Sequence, residues 1–99
     1  MSDREHARNL LTICRTELRA LRAMLDPAVF GCELFGFHCQ QVVEKALKAC
    51  LAAHGLVYPR THDLTLLFDL AADSGTDLSE FADLDWLTPF AVRWRYDVE

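Results

Sequence analysis

PAVFGCELFGFHCQQVVEKALKACLAAH, residues 27–54, is the stretch whose reading decides the fold. Asp26 before it is a good helix N-cap, Pro27 suits the first helical position, and Gly55 follows its last periodic residue as a stop. At 3.6 residues per turn, Cys32, Phe35, Cys39, Val43, Ala46 and Cys50 fall on one face, expected to point inward. His38, Gln41 and Lys45 share another face, with Lys48 beside them. Phe30, Leu34 and Phe37 make the first half apolar nearly all round, so that half should be covered on several sides. The spacing predicts a central helix that forms the core.

Upstream, Ser2-Asp3-Arg4-Glu5 matches the capping-box pattern and opens a helix expected from Asp3 to about Leu25. Ala7, Leu11, Cys14, Leu18, Leu21 and Leu25 alternate spacings of four and three, an a/d seam that suits a shallow-angle helix neighbour. The short connection at residues 24–27 makes the central helix that neighbour, antiparallel. On the other side, Arg4, Arg8, Arg15, Arg19 and Arg22 fall in a narrow stripe. The chain nevertheless carries a net charge of −5, and residues 61–92 hold seven acids with no Lys or Arg. Such segregation bears on partners. The stripe could bind nucleic acid, pair with an acidic protein face, or be merely solvated. Overall acidity argues against general nucleic-acid affinity, and the acidic surface of residues 63–85 in another chain fits better.

Downstream, Pro59 biases Tyr58 away from helix, so residues 56–60 read as a loop. Thr61 is the expected N-cap of a third helix, with Asp63 in its first turn; Leu64, Leu67, Phe68 and Ala71 give its apolar face and Gly75 ends it. Asp77 with Glu80 restarts a helix through Phe81, Leu84 and Leu87. Thr88-Pro89 repeats the N-cap signal, so Phe90 to about Tyr96 is a fresh helix or a kinked continuation. No period-2 run exists, and the expected fold class is all-α, in a single domain spanning residues 1–99.

Ninety-nine residues, 52% hydrophobic and 25% charged, describe a soluble globular chain small enough to depend on good packing or a partner. No run approaches the ~20 apolar residues that span a bilayer. The charged N-terminus has no apolar stretch of a signal peptide behind it, so no membrane association and a cytoplasmic location are expected. Cys14, Cys32, Cys39 and Cys50 lack the close pairs of metal clusters, and Cys39 and Cys50 would lie roughly 16 Å apart in helix rise. Buried free thiols are expected, with no metal and no cofactor.

Residues 37–48, FHCQQVVEKALK, followed by Thr61-His62-Asp63-Leu64 and then by Leu87-Thr88-Pro89-Phe90-Ala91-Val92 leading to Arg95-Tyr96, resemble the HEPN family. That is the helical domain shared by higher eukaryotes and prokaryotes and associated with nucleotide binding. The resemblance covers roughly residues 5–97. It implies an up-and-down bundle of four to five helices, usually a homodimer. It also implies a small nucleotidyltransferase as partner, in a two-component, toxin–antitoxin-like system. Many members are ribonucleases with an Arg followed five to seven positions later by His. No Arg here has a His at those offsets, so catalysis is not expected. Members usually continue past the Arg-Tyr with a proline and another helix, whereas Asp97-Val98-Glu99 follows here.

The candidate binding residues for a nucleotide or RNA are His38, Gln41, Lys45, His62, Arg95 and Tyr96. Lys offers a point charge, Gln a two-sided hydrogen-bonder, and His either role. His62 lies in the N-terminal turn of the third helix, where an anion is favoured, and Arg95-Tyr96 could stack on a base and hold its phosphate. Equally, His38 and Gln41 could satisfy a neighbouring helix, Lys45 could pair with an acid from residues 63–85, and Arg95-Tyr96 could be a salt bridge plus a core tyrosine. No Gly-rich phosphate loop, GxSxG or HExxH occurs. The function expected is a nucleotide- or partner-binding module; the alternative is a metal-independent ribonuclease toxin with a non-standard site built on His38, His62 or Arg95.

Overall fold

Helix α1 (Asp3–Ala23), α2 (Cys32–Ala53) and α3 (Leu64–Asp73) are followed by a 3-10 helix, Ser79–Leu87, which runs into a helical segment at 88–91. The structure is a computed structural model and describes residues 3–91. No strand occurs among the described residues, and the fold is all-α. Ser2, and the part of the expected last helix beyond residue 91, lie outside the described residues.

α1 and α2 are antiparallel: Asp3 and His6 lie by Gly55 and Tyr58 at one end, and Leu21 lies by Cys32 and Phe35 at the other. Only one row of the expected seam is covered. Ala7, Cys14 and Leu21, seven residues apart, are buried, whereas Leu11 (41%), Leu18 (42%) and Leu25 (68%) are exposed. The correction is geometric, because the two rows of an a/d seam lie on either side of the contact line. α2 covers one row and nothing among the described residues covers the other.

α2 starts later than the apolar pattern does. The Asp26 carboxylate accepts from the Ala28 amide at 2.9 Å, and its carbonyl accepts from Val29 and Phe30. Pro27 therefore opens a separate turn, and extended Gly31 (φ −66°, ψ 154°) is the N-cap of α2. The inward face is also corrected. The buried line runs through Gly36, Gln40, Glu44, Leu47 and Leu51, while Cys32 and Ala46 are exposed and Phe35, Cys39, Val43 and Cys50 are half-buried. Leu47 and Leu51 meet Leu64, Leu67, Ala71 and Leu87 in the core. Gly36 is required there: a Cβ would fall 2.3 Å from the Phe90 ring.

α3 is capped by Asp63, not Thr61: the Asp63 carboxylate accepts from the Thr65 and Leu66 amides. Thr61 instead accepts from the Asp63 amide, and the Thr88 hydroxyl accepts from the Leu64 amide at 3.1 Å. α2 and α3 end alike. Gly55 and Gly75 have φ of 73° and 92°, and each following amide bonds back to the carbonyl of Leu51 or Ala71, the paired closure of a Schellman motif.

The segment expected as an α-helix after Asp77 is a 3-10 helix. Leu78, Phe81, Leu84 and Leu87 recur every three residues, which matches its three residues per turn. On an α-helix these four would drift round the surface, whereas here they form one row toward α2 and α3. All four cysteines are free; Cys14 is buried, but Cys32, the first residue of α2, is exposed, against expectation.

Leu67→Ala, in the fully buried row of α3, should cost about 2–5 kcal/mol in urea unfolding of dilute protein. Leu18→Ala should cost less than about 0.5 kcal/mol, as exposed positions do. Equal losses would mean that both rows of α1 are covered.

Candidate functional site

Two polar side chains sit on the buried line of α2. Gln40 is 0% exposed and Glu44 is 4% exposed, one helical turn apart. Buried polar atoms need partners, and here they find them in one network. Gln40 Nε2 donates to Glu44 Oε1 at 3.0 Å and to the His62 carbonyl at 3.0 Å. Gln41 Nε2 donates to Gln40 Oε1 at 2.7 Å. Lys48 Nζ donates to Glu44 Oε2 at 3.1 Å, and His62 Nδ1 donates to Oε1 at 2.6 Å.

The network reaches α1. The Lys48 ammonium lies 5.5 Å from the Tyr58 ring centroid, a cation–π approach. The Tyr58 hydroxyl bonds His6 Nε2, and the two rings stack at 5.8 Å. The first turns of α1, the middle of α2 and the 54–63 loop are thereby tied at one place.

Burial pushes the Glu44 carboxyl up, but hydrogen bonds from Gln40, His62 and Lys48, with the charge of Lys48, outweigh it; the net direction is down. Glu44 is therefore ionised near neutrality and can only accept, which places the shared proton on His62 Nδ1. Burial, and then the Glu44 charge, raise the Tyr58 phenol. Burial raises the Cys39 thiol, and burial with the Glu17 charge raises Cys14. Reactive thiolates are disfavoured at both.

The candidate residues divide. His62 and Gln41 join the network through Glu44 and Gln40. Lys45 leaves it: the ammonium pairs with Glu17 on α1, not with an acid of residues 63–85. His38 is half-buried with its ring edge-to-face against Phe37 at 5.4 Å. Arg95 and Tyr96 lie outside the described residues. His38 and Lys45, seven residues apart, share the side of α2 that faces α1, whereas Gln41 leans the other way.

Gln40, Glu44, Lys48, Tyr58 and His6 were not among the expected site residues. Their signal is the spacing Gln40–Glu44–Lys48, which places three polar side chains on adjacent turns of one face of the helix. Among the described residues, no group of His, Cys, Asp and Glu is set to hold a metal ion, and no helix is long and apolar enough to cross a membrane. The five arginines of α1 are exposed, and none is in an ion pair among the described residues.

Glu44→Ala should cost about 1–3 kcal/mol, since it removes one of the two acceptors of Gln40 Nε2 and the anchor of His62 and Lys48. A carboxyl depressed by folding stabilises above its unfolded value of about 4.3 and loses that contribution as pH falls through its lower folded value. Acid unfolding curves below about pH 4.3 should therefore be shallower for Glu44→Gln than for the unaltered chain. Parallel curves would show that Glu44 is not held ionised.

Neither a curated protein nor a solved structure matches the chain. Among known families, the HEPN domain matches residues 7–99. That match spans all three α-helices and the 3-10 helix but for the first turn of α1. The chain belongs to the HEPN family.

Proposed function

We propose that this chain is a partner-binding HEPN module that self-associates as a homodimer and acts with a small nucleotidyltransferase in a two-component, toxin–antitoxin-like system. The observation that carries the self-association is the open apolar face of α2. On the side away from Glu44, Cys39, Val43, Ala46 and Cys50 stay partly or fully exposed, and Phe81 (48%) and Trp86 (61%) overhang them. Contiguous apolar surface rimmed by polar residues marks an interaction site. A 99-residue chain gains more than a larger one from covering such a face, because less of its surface is buried on folding. The nucleotidyltransferase and the toxin–antitoxin setting rest on family resemblance alone.

A second reading, nucleotide or RNA binding with or without cleavage, has one observation in its favour. Glu44 holds His62 by Nδ1, so in the neutral ring Nε2 is the acceptor, and the His62 side chain is 43% exposed. A carboxylate-oriented imidazole is a recurrent proton carrier. Against this reading, Gln41 and Lys45 already have partners within the chain, and the central charge of the network is negative. In this reading His38, Gln41, Lys45, His62, Arg95 and Tyr96 remain the proposed binding set.

The test is sedimentation of the full chain. The unaltered protein should be a dimer, and Ala46→Glu, a change at an exposed position, should convert it to a folded monomer. A monomeric unaltered chain overturns self-association. Millimolar ATP should leave the melting temperature unchanged; a rise abolished by His62→Ala would favour the second reading. RNA cleavage lost in the same variant would extend that reading to catalysis.

A further inference from the structure

The apolar face is bordered by opposite charges in a fixed order. At one edge Leu18 shares a shallow groove with Arg15, Arg19 and Arg22 of α1. Leu21, three residues on, lines the next groove with Cys39, Val43 and Trp86. Val43 and Leu84 carry that groove into a third, which reaches Phe68 and Leu78. Phe68 and Leu78 also line the outermost groove, beside Asp69 and Asp77. Crossing the face thus runs from arginine through apolar surface to acid. Asp69 on α3 and Asp77 ahead of the 3-10 helix are both exposed at this outer border.

We infer that a second copy of the chain covers this face about a two-fold axis parallel to the helices, so that the arginine border of each copy lies on the acidic border of the other. The inference rests on the self-association proposed above and adds its polarity. An interface between two identical faces admits two simple axes. One across the helices would lay each border on its own counterpart, arginine on arginine and acid on acid. One along the helices exchanges the borders, and isologous symmetry repeats the favourable match at both edges.

The charges are free for this use. The arginines have no ion pair among the described residues, and residues 61–92 contain no Lys or Arg to neutralise their seven acids. Arginine forks suit carboxylates, and opposed borders set orientation more than raw affinity. A polyanion laid on the arginines would face the acids across the same surface, which disfavours nucleic acid as the occupant.

A charge swap tests the axis. Arg15→Glu with Arg19→Glu sets acid against acid at both borders; Asp69→Lys with Asp77→Lys sets base against base. Each double variant should dimerise at least about tenfold more weakly than the unaltered chain at low salt. Mixed in equal amounts, the two should recover a heterodimer of near-original affinity, because Glu then meets Lys at one border and Arg meets acid at the other. A chain carrying all four changes should recover the homodimer. Recovery itself shows that the variants fold, and circular dichroism checks each alone. A chain that dimerises with an affinity indifferent to these reversals, or variants that fail to rescue each other, overturns the axis and leaves self-association standing. A monomeric unaltered chain overturns both.

Discussion

A carboxylate inside a helical core has to be supplied with donors, and Glu44 draws its donors from separated parts of the chain. Gln40 comes from the turn before it and Lys48 from the turn after. His62 comes from the far side of the 54–63 loop, held twice, by its ring on Glu44 and by its carbonyl on Gln40. The next residue, Asp63, caps α3, so anchoring His62 also sets where α3 begins. Thr88 then closes on the Leu64 amide and fixes where the 3-10 helix ends. Each later element is placed by a bond that leads back to this carboxylate.

The core alone would specify the arrangement less tightly. Leu47, Leu51, Leu64, Leu67, Ala71 and Leu87 contribute the burial, and a fully buried leucine is worth about 1.5–3 kcal/mol. Apolar burial is not directional, however, and α3 could slide along α2 at modest cost. Hydrogen bonds at 2.6–3.0 Å allow no such slip. The division is spatial as well. Around α2, polar bonding lies on one side and the open apolar face on the other, with α1 and α3 flanking both.

The helical class was legible because α1, α2 and α3 carry their own periodic rows and stops; Gly55 and Gly75 close them as read. Boundaries were misread wherever two capping residues competed. Asp26 and Gly31 both suit the start of α2, and Thr61 and Asp63 both suit α3, and tertiary bonds rather than local preference decide between them. The inward face of α2 was misread because its apolar side chains outnumber those on the true core side. Gln40 and Glu44 are polar, and their place on the core side rests on partners, His62 and Lys48, that the helix pattern alone does not connect to them. Of the expected site, His62 and Gln41 stayed together. Lys45 was drawn away by Glu17, a residue twenty-eight positions distant that no local pattern connects to it.

The 3-10 helix has a consequence in length. Nine residues rise about 18 Å at the 3-10 spacing, against about 13.5 Å in an α-helix. The chain must return from Gly75, at the end of α3, to the start of α3, where Thr88 meets the Leu64 amide. α3 itself, with ten residues, is about 15 Å long. The 3-10 helix alone covers that distance, whereas an α-helical return would draw the difference from residues 76–78. A residue deleted from the 3-10 helix removes about 2 Å of that reach and shifts its three-residue row out of register with α2 and α3, whereas a residue added in the turn at 76–78 leaves the row in place.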